Sequence, residues 1–141
     1  MTHLFYFITM AEQEKHTLSK TERLNSLILI EKLFTGGSKS LPAFPLRIVY
    51  MPVEEENNLP QVSILISVPK KRFKRAVKRN RVKRQIREAY RKHKSILADS
   101  LAVAGKKAII AFIWLDNELH SSVEVEEKVK KLLQLTSERM Q

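Results

Sequence analysis

Apolar residues recur along this chain with two periods, and each period predicts one kind of secondary structure. Residues 23–34 carry apolar side chains spaced nearly all round a helical wheel. Ser19 and Glu22 stand before them at capping-box spacing, and Gly36 and Gly37 follow them. The pattern predicts a first helix that is buried on more than one side.

Four segments have the alternation or the composition typical of β-strands. Residues 45–51 and 62–68 each alternate, with apolar side chains gathered on one face. Residues 108–114 form a continuous apolar run that suits an interior strand, and residues 38–41 are a shorter candidate. We expect the strands at 45–51 and 62–68 to form an antiparallel pair across the polar, acidic link between them.

Two further helices are predicted where apolar residues recur at intervals of three and four. The first spans residues 76–97, and its core-facing positions are Val82, Ile86, Ala89, Tyr90, His93 and Leu97. The second begins at another capping box, Ser121 with Glu124, and continues as an amphipathic helix. The order of helix, strands, helix, strand and helix predicts an α+β fold, a two-layer sandwich with helices packed on one four-stranded sheet.

The length of 141 residues suits one domain with one core, which we place at residues 17–141. Residues 1–16 are expected to form a disordered extension, because the helix signals begin only after them. Met10 is an alternative first residue for the same reason. The apolar stretch at residues 4–8 is too short to span a bilayer and lacks the basic flank of a secretory signal.

The positive charge of the chain is concentrated in one segment. Residues 69–94 contain fourteen of the 26 lysines and arginines but only one of the 15 acids, Glu88, so this segment carries the whole positive excess. The positive charges of this segment repel one another and destabilise the fold unless a polyanion binds to them. This concentration of charge therefore predicts a nucleic-acid partner, with a membrane surface as the weaker alternative.

The arginines of the predicted basic helix face away from its apolar stripe. Asn80, Arg84, Arg87 and Arg91 lie directly opposite the stripe on a helical wheel. The two shoulders carry further cations: Arg79, Lys83 and Lys94 on one side, and Arg81 and Lys92 on the other. A solvated helix face usually mixes acids with bases, so this surface indicates binding of nucleic-acid phosphates. Arginine suits that role because its planar guanidinium forms paired hydrogen bonds with phosphate.

Several kinds of site are not expected. The chain has no cysteine, which excludes disulfides and thiolate metal sites and suits a reducing cytoplasm. The four histidines, two of them His93 and His120, show no metal-ligand spacing, so the protein itself is expected to hold no metal and no cofactor. His93 lies on the apolar stripe and is interpreted as a packed side chain. A self-sufficient nuclease would need a general acid and base at a phosphate, and the sequence shows no such set.

Residues 68–91 closely resemble the signature of the protein subunit of bacterial ribonuclease P. In order, they contain an apolar strand end, Lys70-Lys71, a short basic link, Ala76-Val77, Arg79-Asn80-Arg81 and Val82-Lys83-Arg84-Gln85-Ile86-Arg87-Glu88-Ala89-Tyr90. Upstream, similarity to the first helix of that family is carried by Arg23-Leu24, Leu33-Phe34 and Gly37. The resemblance covers about residues 18–135 and leaves the N-terminal extension outside.

The resemblance implies a partner for the ribonuclease P RNA in removing the 5′ leader from precursor tRNA, as one subunit of an endoribonuclease. Catalysis would belong to the RNA and its Mg²⁺ ions, with one protein per RNA and no activity of the protein alone. The fold implied is ribosomal protein S5 domain 2-like, with a left-handed crossover through the basic helix. The residues implied in RNA binding are Lys70, Lys71, Arg79, Asn80, Arg81, Lys83, Arg84, Arg87 and Arg91.

The second site implied by the resemblance is a cleft between the first helix and the sheet, which would hold the single-stranded leader. Carried over by position, its lining is Ile30, Phe34, Leu46, Ile48 and Tyr50. Many members of the family have an aromatic residue in the first helix where this chain has Ile30. Stacking on leader bases is therefore expected to be weaker here.

A second hypothesis gives the same basic helix to a structural RNA-binding protein of the ribosomal kind, with no part in a reaction. The two hypotheses differ in what the protein must distinguish. A ribosomal-type protein has no reason to separate precursor from mature tRNA, whereas a ribonuclease P subunit binds the leader that only the precursor carries.

Overall fold

A four-stranded sheet and its covering helices make up the computed structural model, which describes residues 30, 31, 33, 34, 38–53 and 61–140. The strands are β1 (Lys39–Ala43), β2 (Leu46–Val53), β3 (Val62–Ser67) and β4 (Lys107–Trp114). The helices are α1 (Ala76–His93), α2 (Ser95–Ala104) and α3 (Ser122–Met140). Further helical residues are Ile30, Glu31, Leu33 and Phe34. The α+β class and all four predicted strands are confirmed.

Some predictions concern residues outside this description. They are the N-terminal extension with Met10, the first capping box at Ser19 and Glu22, most of the first helix, and its glycine stop. The acidic link at residues 54–58 also lies outside the described residues.

The sheet has the order β1-β2-β4-β3, so β4 separates the two strands that were expected to pair with each other. β2 pairs antiparallel with β1 and β4, and β3 pairs parallel with β4 alone. The predicted antiparallel pair of residues 45–51 and 62–68 is therefore wrong. Because β4 is apolar on both faces, it is buried best between two other strands. The long connection from β3 to β4 permits the parallel pairing, since such a crossover needs a dozen or more residues.

Apolar side chains cover both faces of the sheet. Leu46, Ile48 and Tyr50 of β2 join the larger cluster, which includes buried residues of α1, α2 and α3. The opposite face forms a smaller cluster in which Ile30 and Leu33 contact residues of β2, β3 and β4. The three helices thus form one layer, and the helical residues Ile30 and Leu33 lie against the other side of the sheet.

The basic helix is shorter than predicted, and a separate helix follows it. α1 ends at His93, and α2 begins at Ser95, so Leu97 belongs to α2 rather than to the basic helix. Leu97 and Leu101 are buried one turn apart, and Gly105 ends α2 in the left-handed region at φ 66°. Because the helical spacing of apolar residues continues across the junction, periodicity alone could not show that one helix ends and another begins there. Gly105 was the available signal that a helix ends there.

The last helix begins as its capping box predicts. The Ser121 hydroxyl accepts a hydrogen bond from the Glu124 backbone N–H at 3.2 Å, which satisfies one of the free donors of the first turn. Val125, Val129, Leu132 and Leu133 are fully buried against the sheet and α1. The same helix therefore closes the core and supports the basic helix from the side.

Truncating the apolar anchor of the basic helix should destabilise the whole fold. Ile86 is fully buried in the larger cluster, so Ile86→Ala should lower the free energy of unfolding by about 2–5 kcal/mol. Urea denaturation followed by circular dichroism measures this. Val103→Ala is the control, because Val103 is 92% exposed on α2 and its loss should change stability by less than about 0.5 kcal/mol. Equal effects of the two substitutions would contradict the assigned anchor.

Candidate nucleic-acid interface

The link before α1 is organised by one of the predicted RNA-binding residues. The Arg79 guanidinium donates hydrogen bonds from Nη1 to the carbonyl oxygens of Phe73 at 2.6 Å and of Lys74 at 3.0 Å. Phe73 is buried in the core and fixes the other side of the link. Arg79 therefore holds the turn that carries Lys70 and Lys71, both of which are exposed.

The start of α1 is electropositive beyond its side chains. Arg75 occupies the N-cap position without a side-chain cap hydrogen bond, and the first turn contains no acid. The backbone N–H groups of this turn therefore remain available to an anion, and the helix dipole adds to the attraction. Exposed Lys78 and Asn80 lie in the same turns.

The outer face of α1 displays most of the predicted RNA-binding side chains. Asn80, Arg81, Arg84 and Arg91 are exposed, and Arg87 is half-buried. Within the described part of the chain, neither Arg81 nor Arg84 forms an ion pair with an acid. The middle of the helix thus presents an open cationic face.

Lys83 differs from its predicted position on a cationic shoulder, because the structure buries it. Only 5% of its surface is exposed. Lys83 precedes Ile86 and Tyr90 by three and seven positions, so it lies along the edge of the buried stripe. In this conformation its ammonium group does not belong to the open face, although the resemblance implied an RNA contact there.

Acids pair with cations toward the end of α1. Arg91 forms two hydrogen bonds with Glu88, Nη2 to Oε1 at 2.5 Å and Nε to Oε2 at 3.1 Å. These bonds hold the pKa of Glu88 below its usual value and raise that of Arg91. Glu126 of α3 lies 3.5 Å from Lys92 and 3.4 Å from His93. Among the residues that the structure describes, Arg81 and Arg84 in the middle of the helix form no such ion pair.

The structure does not bring the residues predicted for the leader cleft onto one face of the sheet. Ile30 belongs to the smaller cluster and Phe34 packs against it, whereas Leu46, Ile48 and Tyr50 belong to the larger cluster on the opposite face of the sheet. Successive side chains of a strand point to opposite faces, so a shift of one residue moves the whole set. The five residues do not line one surface.

The β2 residues on the same face of the sheet as Ile30 and Phe34 are the odd-numbered ones, which alternate with Leu46, Ile48 and Tyr50. Val49 is buried in the smaller cluster, and partly buried Met51, Val53 and Ile113 pack against it beside Phe34. Arg47 lies on the same side of β2 and is exposed. The sequence already contained this alternation, but it did not indicate which face the first helix covers.

A polar cluster around His120, which the sequence analysis missed, joins the sheet to α3. His120 bonds through Nε2 to Asp116 Oδ2 at 2.6 Å and through Nδ1 to Glu124 Oε2 at 2.8 Å. Its ring packs edge to face against Trp114, with centroids 5.3 Å apart. Gln85 of α1 donates a hydrogen bond to the His120 carbonyl at 3.0 Å. The spacing of Asp116, His120 and Glu124 by four residues was the signal available for it.

The charge of His120 follows from these bonds. Burial lowers its pKa, but the hydrogen bonds and charges of Asp116 and Glu124 together outweigh burial and raise the pKa above its usual value. In return, the bond from His120 lowers the pKa of Asp116. Since two carboxylates accept from one ring, both ring nitrogens must donate, and the protonated imidazolium fits this site best.

Membrane and metal sites are not found among the residues described. No helix there is long and apolar enough to cross a membrane. No group of three or more acidic or histidine side chains in this part of the chain is placed to hold a metal ion.

Removing His120 should destabilise the protein more in mild acid than in alkali. A raised folded-state pKa contributes stability below the unfolded pKa of about 6.5, and this contribution is lost as the pH rises through the folded value. The difference in unfolding free energy between wild type and His120→Gln should therefore be larger at about pH 6 than at about pH 9. Arg139→Gln, at an exposed arginine that stays charged over this range, should give a constant difference. A pH-independent loss in His120→Gln would rule out the imidazolium.

Comparison with known proteins agrees with this geometry. The family model described as Ribonuclease P matches residues 18–136. The ribonuclease P protein component of Porphyromonas gingivalis strain W83 is 46% identical over 116 residues, covering 82% of this chain and 83% of the relative. That of Chlorobaculum tepidum is 37% identical over 112 residues, covering 74% and 71%.

Solved structures show the same fold. The RNase P protein of Staphylococcus aureus superposes with a TM-score of 0.62 at 19% identity, covering 82% of this chain and 94% of that protein. The RNase P protein of Thermotoga maritima gives a TM-score of 0.60 at 24% identity, covering 81% and 96%. With a family match over most of its length, relatives of this similarity and the shared fold, the chain belongs to the ribonuclease P protein family.

Proposed function

We propose that this chain is the protein subunit of ribonuclease P and that it binds the catalytic RNA through the exposed face of α1. The observation that carries the proposal is the open cationic face at Asn80, Arg81 and Arg84, which lies within the family match. Arginines on a rigid helix can approach several phosphates together, and their guanidinium groups form paired bonds with phosphate oxygens. Lys70 and Lys71 extend this surface past the start of the helix.

In this proposal the protein binds and positions RNA, and the RNA with its Mg²⁺ ions cleaves the 5′ leader from precursor tRNA. The arrangement of the two histidines that the structure describes supports this division. His120 bonds to two carboxylates, and His93 lies beside Glu126, so both are engaged within the fold. The reaction is proposed to occur in the cytoplasm with one protein per RNA.

The single-stranded leader is proposed to bind where Phe34 packs beside Val49 and Met51 of β2. Arg47 on the same side of β2 supplies a cation for the leader backbone. Phe34 offers a ring for base stacking, which is worth about 1–3 kcal/mol per base. Ile30, by contrast, is fully buried and supports this face from beneath.

Reconstitution tests the proposed function directly. The purified protein, added to a bacterial ribonuclease P RNA at low Mg²⁺, should accelerate cleavage of precursor tRNA, and the protein alone should cleave nothing. The holoenzyme should also bind precursor tRNA more tightly than mature tRNA, because only the precursor carries the leader. Equal affinity for both, without any effect on cleavage, would support the structural RNA-binding protein instead.

Loss of one arginine from the open face should change the salt dependence of RNA binding. If Arg84 contacts a phosphate, Arg84→Ala should weaken binding to the ribonuclease P RNA and reduce the slope of log affinity against log salt by about one unit. Filter binding at several salt concentrations measures both quantities. Lys130→Ala is the matched control, since Lys130 is an exposed cation on α3, one helical turn after Glu126 and Glu127. An identical slope for wild type and Arg84→Ala would place the interface elsewhere.

A further inference from the structure

One large aromatic side chain lies on the surface close to the basic helix. Phe44 occupies the turn between β1 and β2, and 60% of its surface is exposed. The other large hydrophobic side chains exposed in the described residues are three valines. A single exposed ring does not by itself indicate a partner, so the inference depends on what surrounds Phe44.

The ring of Phe44 is held against a fixed neighbour. It packs edge to face on the His120 ring, with centroids 6.2 Å apart and planes at 76°. His120 is itself fixed by its two carboxylate bonds and by the buried Trp114 ring. This support reduces the entropy that a binding event would otherwise cost, because the neighbour of the ring is already in place.

The turn is continuous with the cationic face of α1. His120, which touches Phe44, accepts through its carbonyl a hydrogen bond from Gln85 at 3.0 Å. Gln85 follows Arg84 directly and lies one helical turn after Arg81. Phe44 is thus linked through His120 and Gln85 to the helix that carries the exposed Arg81 and Arg84.

The acidic residues of this region, Asp116, Glu124 and exposed Glu118, are offset in part by cations. The carboxylates of Asp116 and Glu124 are bonded to the His120 ring, whose positive charge offsets theirs in part. The Arg72 guanidinium lies 3.4 Å from the Asn117 side chain, which adds a cation at the other side of the same loop. The surroundings of Phe44 therefore combine an aromatic platform with nearby positive charge, as single-stranded nucleic-acid sites do.

We propose that Phe44 is a stacking platform for an unpaired base of the ribonuclease P RNA, next to the phosphate contacts of α1. The inference rests on the proposed function and extends it to a residue outside the basic segment. The RNA subunit is the expected source of the base because Phe44 adjoins α1 through His120 and Gln85. The proposed leader surface, at Phe34 and Val49, lies on the opposite face of the sheet from α1.

Three substitutions of Phe44 test this proposal in the full-length protein. Phe44→Ala and Phe44→Leu should each weaken binding of the ribonuclease P RNA by about 5- to 150-fold, since both remove the stacking surface. Phe44→Tyr keeps the ring and should bind like wild type. No charge is lost in any of them, so the slope of log affinity against log salt should stay the same. Val103→Ala, at an exposed valine on α2, is the matched control and should have no effect.

Each outcome decides between the proposals. Thermal unfolding should show near wild-type stability for Phe44→Leu, which separates loss of stacking from damage to the turn. If Phe44→Leu is stable and binds the RNA like wild type, the platform is refuted and the proposed function remains. If the substitutions change only the preference for precursor over mature tRNA, the ring contacts the leader and the proposed source is wrong. If wild type itself does not bind the RNA, the proposed function fails as well.

Discussion

The structure depends on how α1 is held against the sheet, because the charged side chains of this helix are nearly all cationic. Its arginines and lysines repel one another, so the helix stays folded here because its opposite side is buried. Val82, Ile86, Ala89 and Tyr90 enter the larger cluster beneath it. Tyr90 contacts Phe112 of β4 edge to face, and α3 packs alongside. Burial of this stripe is what allows a concentrated cationic surface to be rigid, and rigidity lets several guanidinium groups meet one RNA with little loss of entropy.

Several polar residues of the basic segment maintain that geometry through hydrogen bonds within the protein. Arg79 holds the carbonyls of the preceding link, and Gln85 joins α1 to the loop before α3. His120 then ties that loop to the start of α3 through Glu124. The cationic face is therefore braced at its beginning and at its middle. The basic segment thus contains exposed arginines, such as Arg81 and Arg84, and an arginine that holds the backbone, Arg79. Neighbouring positions therefore need not contribute equally to RNA binding.

The sheet separates two surfaces that the function would use at once. Its larger cluster faces the three helices, and its smaller cluster includes the helical residues Ile30 and Leu33. β4 contributes to both clusters and lies between β2 and β3, so it connects the two sides mechanically. RNA bound along α1 and a leader bound at Phe34 would therefore meet a single rigid framework. This arrangement is consistent with a subunit that positions its substrate relative to a catalytic RNA.

The sequence by itself determined the class of fold, the four strands, and the charged and apolar sides of the basic helix, because each of these is a local periodicity. Ser121 and Glu124 likewise marked the start of the last helix through a local cap. Tertiary structure alone decided the strand order, since pairing of β3 with β4 depends on which strand is buried on both faces. It also decided which face of β2 meets the first helix, the burial of Lys83, and the meeting of Phe44 with His120. These are contacts between residues distant in sequence, and a pattern read along the chain carries no information on how its elements turn toward one another.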